Sequence, residues 1–313
     1  MKIRKHKGIN QQTGKLIKGF KYSGKKLKSG LPEIIRVKKQ KGGKVLGKGS
    51  YGCVIEPAIP CSKKLKENVV SKIGLDPDER DYDEFNIGKK LSKIDPESKY
   101  FVYVTESCDI PRSAINDADF KKCKFELGKE YQNMIMEKGS MNFHELKSVK
   151  KDDDIFKKIL IKMIESCILL MKNGLTHYDI KSLNIIIKKI SADKNEYESF
   201  MIDFGSTFMP QNWDDFGIIV DINDRYLWPI EVYSMMDSYK KFYTDRVKKY
   251  VTIKFLKGNK GFMDFSDKVM SYMIGIMFIN NFKDNKLKSV IEKMVKPHPD
   301  ERITLKEALK LIK

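Results

Sequence analysis

Eight consecutive residues, His177-Tyr178-Asp179-Ile180-Lys181-Ser182-Leu183-Asn184, restrict the possible folds more than any other stretch of the chain. They follow a long segment with a helical apolar period and precede a short apolar run, Ile185-Ile186-Ile187. The order predicted is therefore helix, loop, strand. One loop then carries a carboxylate, a lysine two residues on and a carboxamide five residues on. Asp179 can accept a hydroxyl proton, Lys181 can face a moving phosphate, and Asn184 can hold a divalent metal. These are the groups that phosphoryl transfer requires.

Three further motifs stand around this loop in a consistent order. Leu46-Gly47-Lys48-Gly49-Ser50-Tyr51-Gly52-Cys53-Val54 places glycine at the first, third and sixth positions of a turn. Backbone amides can then approach phosphates with no Cβ in the way. Gly-x-Gly-x-x-Gly also opens dinucleotide folds, but those continue as a helix after the third glycine. Here Cys53-Val54-Ile55-Glu56 continues as a strand, which favours a phosphate-covering hairpin. About twenty residues later Lys72 closes an apolar strand, Asn68 to Ile73, within reach of α- and β-phosphates. A surface lysine is the competing account in so lysine-rich a chain. A helix is predicted from Asp81 to Ile94, with Tyr82, Phe85, Leu91 and Ile94 as its buried stripe. Glu84 on that helix is the chosen partner for Lys72, with Glu79 as the alternative.

Strands are expected at Tyr100–Cys108 and Tyr131–Met136, separated by an irregular segment. The second strand leads into Met136-Glu137-Lys138-Gly139, a hinge whose backbone groups would hydrogen-bond adenine, with Met136 at the back of the pocket or simply in the core. Residues 152–175 carry the clearest helical pattern. Asp152, Asp153 and Asp154 lie at its start, apolar residues hold a 3/4 period from Phe156 to Met171, and Asn173-Gly174 closes it. After the catalytic-type loop come two strands around a polar hairpin, and the second ends in Asp203-Phe204-Gly205, 24 residues beyond Asp179. An aspartate there can chelate Mg²⁺ on nucleotide phosphates while the phenylalanine packs inward.

Charge is distributed unevenly along the 313 residues. Residues 1–45 contain 15 Lys and Arg and one acid, Glu33, a charge of +14 that leaves only +5 of the total +19 for the rest. The basicity therefore belongs to an N-terminal arm, residues 1–40, in which no helical or strand period is evident. A solvated, largely disordered segment is the plain expectation. The sharper one is a polyanion-binding arm whose lysines neutralise phosphates and whose aromatics stack on bases. No apolar run approaches the roughly 18–20 residues of a membrane span, and no apolar stretch follows the charged start to suggest a secretory signal. Five cysteines, Cys53, Cys61, Cys108, Cys123 and Cys167, show no paired-ligand spacing. They are expected as free thiols of an intracellular, reducing compartment.

With these residues in place, the chain from about Val45 onward resembles a eukaryotic-type serine/threonine protein kinase. The resemblance extends to Trp228-Pro229-Ile230-Glu231, similar to the end of an activation segment, and to Asp300-Glu301-Arg302-Ile303-Thr304. It implies an α+β, bilobal fold. Residues 41–139 would form a small β-rich lobe with one helix, and 140–313 a larger, mainly helical lobe. It implies ATP and Mg²⁺, with Mn²⁺ as a possible substitute, and a protein substrate. Leu46, Gly47, Gly49, Ser50, Tyr51, Gly52, Val54, Lys72, Glu84, Met136, Glu137 and Gly139 would contact or position the nucleotide. Asp179 and Lys181 would be catalytic, Asn184 and Asp203 would bind metal, and Arg302 would pair with Glu231.

Some positions depart from the family pattern. Tyr178 stands where an arginine normally grips a phosphate on the activation segment, which implies activity without that phosphorylation. The buried aspartate of the large lobe is displaced, with Asp267 and Asp237 as competing candidates. The compact, Lys/Ile/Asn-rich sequence with its basic arm is similar to kinases of nucleocytoplasmic large DNA viruses. Two other functional classes remain. One is a catalytically weak kinase-fold scaffold whose basic arm binds nucleic acid or acidic partners. The other is a small-molecule phosphotransferase. His177 is expected as a core histidine bracing the loop, Ser206 and Thr207 as ordinary loop hydroxyls, and Trp213 and Trp228 as packing residues.

Overall fold

The computed structural model describes residues 8–10, 12–17, 20–36, 44–49, 52–61, 65, 67–75, 84–123, 131–190, 196–208 and 258–313. The fold is α+β, with a five-stranded antiparallel sheet and several helices. Ser50 and Tyr51 of the glycine-rich turn, Glu79, Trp213, the segment Trp228 to Glu231, and Asp237 lie outside the described residues.

The chain begins with a two-stranded hairpin, β1 (Phe20–Lys26) and β2 (Pro32–Arg36). No period in the sequence announces it, and two strands alone are marginal in water. Its support comes from outside the pair. Ile9 and Ile34 are buried, and Gly8 lies so close beneath the Phe20 ring that a Cβ would overlap it. The turn is closed by Leu27 and Gly30, with Gly30 at φ +77°. The basic arm thus contains ordered structure where none was expected.

The main sheet is made of β3 (Lys44–Gly49), β4 (Gly52–Glu56), β5 (Val69–Leu75), β6 (Glu106–Ile110) and β7 (Tyr131–Glu137), in the order β3-β4-β5-β7-β6. Its central strands read as apolar runs because both faces are covered. Cys53, Ile55, Ile73 and Tyr131 pack on one side, and Val70, Met134, Met136 and Phe200 on the other. Helix α1 (Glu84–Ile94) buries Leu91 as predicted, together with Ile87 and Gly88, while Phe85 and Ile94 are half-buried; Asp81 and Tyr82 lie outside the described residues. Beyond it, the Asp95 carboxylate accepts three backbone N–H bonds, from Lys99, Tyr100 and Phe101. The strand expected at Tyr100–Cys108 starts later, at Glu106. The segment expected to be irregular contains α2 (Asp117–Cys123), started by the Asn116 side chain on Asp119 N–H and held by Phe120 edge-on to Tyr131.

The cysteines correct the sequence expectation. Cys53 and Cys123 are disulfide-bonded, as are Cys61 and Cys108, with Cα separations of 5.8 and 5.6 Å. The first pair joins β4 to the end of α2, and the second joins the segment after β4 to β6. Residues 47 and 70 positions apart meet in each case, so linear spacing could not show the pairing. Cys167 alone is free and buried.

Short strand β8 (Met141–Asn142) and helix α3 (Phe143–Val149) lead to α4 (Asp153–Lys172). Asp152 caps α4 by accepting from Asp154 and Ile155 N–H. Gly174, at φ +68°, ends it, with N–H bonds from Gly174 to Met171 and from Leu175 to Leu170 closing the last turn. Ile159, Leu160, Met163, Ile164 and Cys167 are buried on one face, as the 3/4 period predicts. After β9 (Thr176–His177), β10 (Ile185–Lys189), β11 (Tyr197–Met201) and β12 (Thr207–Phe208), the helices α5 (Gly258–Phe278), α6 (Asn285–Met294) and α7 (Leu305–Ile312) pack around α4. No helix among the described residues is long and apolar enough to cross a membrane.

Candidate active site

The polar centre lies where β5, α1 and the ends of β9 and β11 converge. Lys72 sits in the middle of β5, opposite Val54 on one side and Met134 on the other. Its Nζ is 2.6 Å from Glu84 Oε2, on the first residue of α1, and 2.5 Å from Asp203 Oδ1, 131 residues away in sequence. Burial by itself would pull the lysine pKa down. The Asp203 and Glu84 carboxylates override it and hold the ammonium above the ordinary lysine range. Burial pushes Glu84 up. Asp203, also opposed by burial, is drawn down by the charge and hydrogen bond of Lys72, so of the two carboxylates it is the more firmly ionised. Glu84, the partner chosen for Lys72 from sequence, meets it; the alternative, Glu79, lies outside the described residues.

Asp203 adopts φ 65° and ψ 64°, a left-handed conformation uncommon for a non-glycine residue. It persists because both flanks are fixed. Ile202 N–H donates to Asn184 O at 3.0 Å. Phe204 is buried edge-on against Phe101 and packs on the ring of His177, with centroids 5.6 and 5.1 Å away. His177 is fully buried and 3.3 Å from Ile202 O through Nε2. Burial pushes its pKa down to about 4, so it is a neutral brace and not a proton carrier at physiological pH.

The loop after His177 is tied together internally. Tyr178 N–H donates to Ser206 O, and its phenol lies 3.2 Å from Ser266 Oγ on α5, both side chains being buried. Lys181 Nζ is 2.9 Å from Asp179 Oδ1. Asn184 Nδ2 donates to Asp179 O and Oδ2, at 2.9 and 2.7 Å. An amide that donates through nitrogen presents its oxygen elsewhere, and that oxygen with the Asp203 carboxylate is a hard, all-oxygen donor set of the kind Mg²⁺ takes. Among the described residues no group of three or more His, Cys, Asp and Glu forms a metal cage. Mg²⁺ sites completed by substrate phosphates need no such cage.

Above this centre, β3 and β4 pair up to Gly49 and Gly52. A Cβ on Gly52 would collide with the carbonyl of Ile73, so the close approach of two strands by itself requires glycine here. Gly47 has open space at the corresponding position, and Leu46 is partly exposed beside it. Met136 is buried in the apolar layer with Val70, Met134 and Phe200, bordered by Val54, Ile186 and Ile202. The strand then leaves through Glu137, ion-paired with Lys188, and Lys138, whose Nζ is 2.7 Å from Glu56. Lys138 N–H is engaged by Asn68 O. Gly139 faces Ile186, where a Cβ would come within 2.8 Å of the isoleucine side chain.

Sequence reasoning missed Val70, Ile186 and Ile202. Their signal was present: each lies one or two residues from a chosen polar residue, Lys72, Asn184 or Asp203, and strand alternation puts Val70 on the face of Lys72. It also missed Ser266, which has no motif around it. Arg302 is buried, donating to the carbonyls of Lys268, Lys296 and Pro297 and lying over the Tyr272 ring. Its expected partner Glu231 lies outside the described residues. Asp267 receives Leu305 N–H at 2.7 Å and so serves the start of α7 and not the loop of Asp179.

No model of a known protein family matches the chain, and no curated protein matches it.

Proposed function

We propose that this chain is a Mg²⁺/ATP-dependent serine/threonine protein kinase with a bilobal fold. The observation that carries the reading is Lys72 Nζ touching Glu84 and Asp203 at once. A strand, a helix and a distant loop are brought to one cation beside a loop that carries Asp179, Lys181 and Asn184. A scaffold has no physical need for such an arrangement.

On this reading, the β3–β4 glycine turn covers the phosphates and Lys72 orients them, keeping its position through Glu84. The apolar layer around Val54, Val70, Met136 and Ile186 receives adenine. Asn184 and Asp203 would hold Mg²⁺, which neutralises phosphate charge when bound. Asp179 accepts the proton of the substrate hydroxyl as its oxygen bonds to the γ-phosphorus and the bond from that phosphorus to the bridging oxygen of ADP breaks. Lys181, already beside Asp179, faces the transferred group and offsets its charge. Tyr178 is committed to Ser266 and cannot grip a phosphate, so the loop is held without phosphorylation of the activation segment.

The test is transfer of radiolabelled γ-phosphate from ATP to the protein itself and to a basic generic substrate, with Mg²⁺ or Mn²⁺. Transfer by the wild type that disappears in Asp203→Asn is the expected result. ATP binding with no transfer from either protein would overturn the kinase in favour of a scaffold.

A further inference from the structure

We infer that the N-terminal hairpin is a binding surface for single-stranded nucleic acid. The inference is independent of the proposed kinase activity, because it uses only residues of the N-terminal segment, none of which belongs to the candidate site.

The first observation is that this basic segment is built, and built to present charge. Phe20 and Ile34, closing over Gly8, supply a small apolar nucleus on one side, while Lys25, Lys26 and Lys28 are exposed around the turn. Among the described residues none of the three has an ion-pair partner. Glu33 is the one acid of residues 1–45, and its carboxylate accepts from Ser23 Oγ at 2.6 Å. Clustered like charges oppose compaction. Gly24 and Gly30, both at positive φ, allow the tight backbone that keeps the lysines on one short turn. The result is an outward positive field that a single carboxylate on the hairpin only partly offsets.

The second observation identifies the kind of polyanion. Tyr22 is 52% exposed on β1. A lysine cluster alone would suit any anion. An exposed ring on the same hairpin adds a platform on which an unpaired base can stack, and stacking is the feature that separates single strands from duplex, acidic protein and phosphate. Leu27 and Leu31 are also exposed at the turn, which makes an anionic lipid surface the strongest rival and therefore an arm of the test.

The experiment uses the full chain without nucleotide, titrated against a fluorescent 20-residue single-stranded oligonucleotide over a range of salt. Polyglutamate and phosphatidylserine vesicles are measured alongside. The oligonucleotide should bind with log K falling linearly in log salt. Lys25→Gln/Lys26→Gln/Lys28→Gln should shallow that slope by about 2 and weaken binding about 100-fold at 0.1 M salt. Tyr22→Ala should lose about tenfold at unchanged slope, and Tyr22→Phe should keep wild-type affinity, which separates loss of stacking from loss of the hairpin. Equal binding of polyglutamate, stronger binding of vesicles, or a Tyr22→Ala protein that binds like wild type would each overturn the assignment. The triple variant should leave phosphate transfer to a generic substrate unchanged.

Discussion

Around Asp203 and at the tip of the N-terminal hairpin, the same side chain is used in opposite ways. Lys72 touches two carboxylates and Lys181 a third, whereas Lys25, Lys26 and Lys28 point into solvent without an ion pair among the described residues. The difference follows from burial. A cation taken out of water must be paired, or it loses its proton or destabilises the fold. Pairing Lys72 fixes the relative positions of β5, α1 and the Asp203 loop, so the electrostatic requirement also aligns the site. An exposed lysine carries no such requirement. It positions nothing inside the protein, and its charge stays available to an external anion.

The contrast can be broken most directly at its buried end. Lys72→Met should lower kcat/KM for phosphate transfer by about 10³-fold, equivalent to about 4 kcal/mol. It should also destabilise the fold by about 2 kcal/mol in urea. That is below the usual loss for an orphaned buried charge, because the Asp203 side chain keeps 36% of its exposure. Binding of oligonucleotide should not change. A Lys72→Met protein with wild-type turnover would end the account of the site.

The disulfides sharpen the comparison, since both brace the main sheet and neither touches the hairpin. Reduction of each pair should cost about 3 kcal/mol of stability, measured as a lower urea midpoint with and without dithiothreitol. Cys53→Ser/Cys123→Ser should reproduce part of the loss under oxidising conditions and respond less to reductant. Identical midpoints in both conditions would show that the cysteines do not cross-link the sheet.

His177 gives a smaller effect with a defined pH window. Its folded pKa, about 4, lies below the ordinary 6.5, so between these values the unfolded chain binds the proton more readily than the folded one. Stability is therefore present above pH 6.5 and is lost as pH falls toward 4, by up to about 3 kcal/mol. His177→Gln should flatten the stability curve over that interval, and an unchanged slope would exclude the histidine as its source.

Much of the candidate site was legible because the groups proposed to handle phosphate lie in short local patterns. Asp179, Lys181 and Asn184 occur within six residues, and helix α4 announced itself by its period and both caps. The hairpin was not legible: Gly8 lies against Phe20 of β1 and Ile34 of β2, and no repeat in residues 20–36 encodes that support. The disulfides were hidden for the same reason.

The sequence by itself determined which groups are available: the ordered motifs, the strand and helix periods, and the concentration of net positive charge in the first 45 residues. Tertiary structure decided which of them meet. It selected Glu84 for Lys72, Ser266 for Tyr178, and Cys123 and Cys108 for Cys53 and Cys61. Local periodicity reports which face of an element is apolar, but a contact between residues 131 positions apart, such as Lys72 with Asp203, depends on how the elements pack, because side-chain pairing acts over a few ångströms of space and not over sequence.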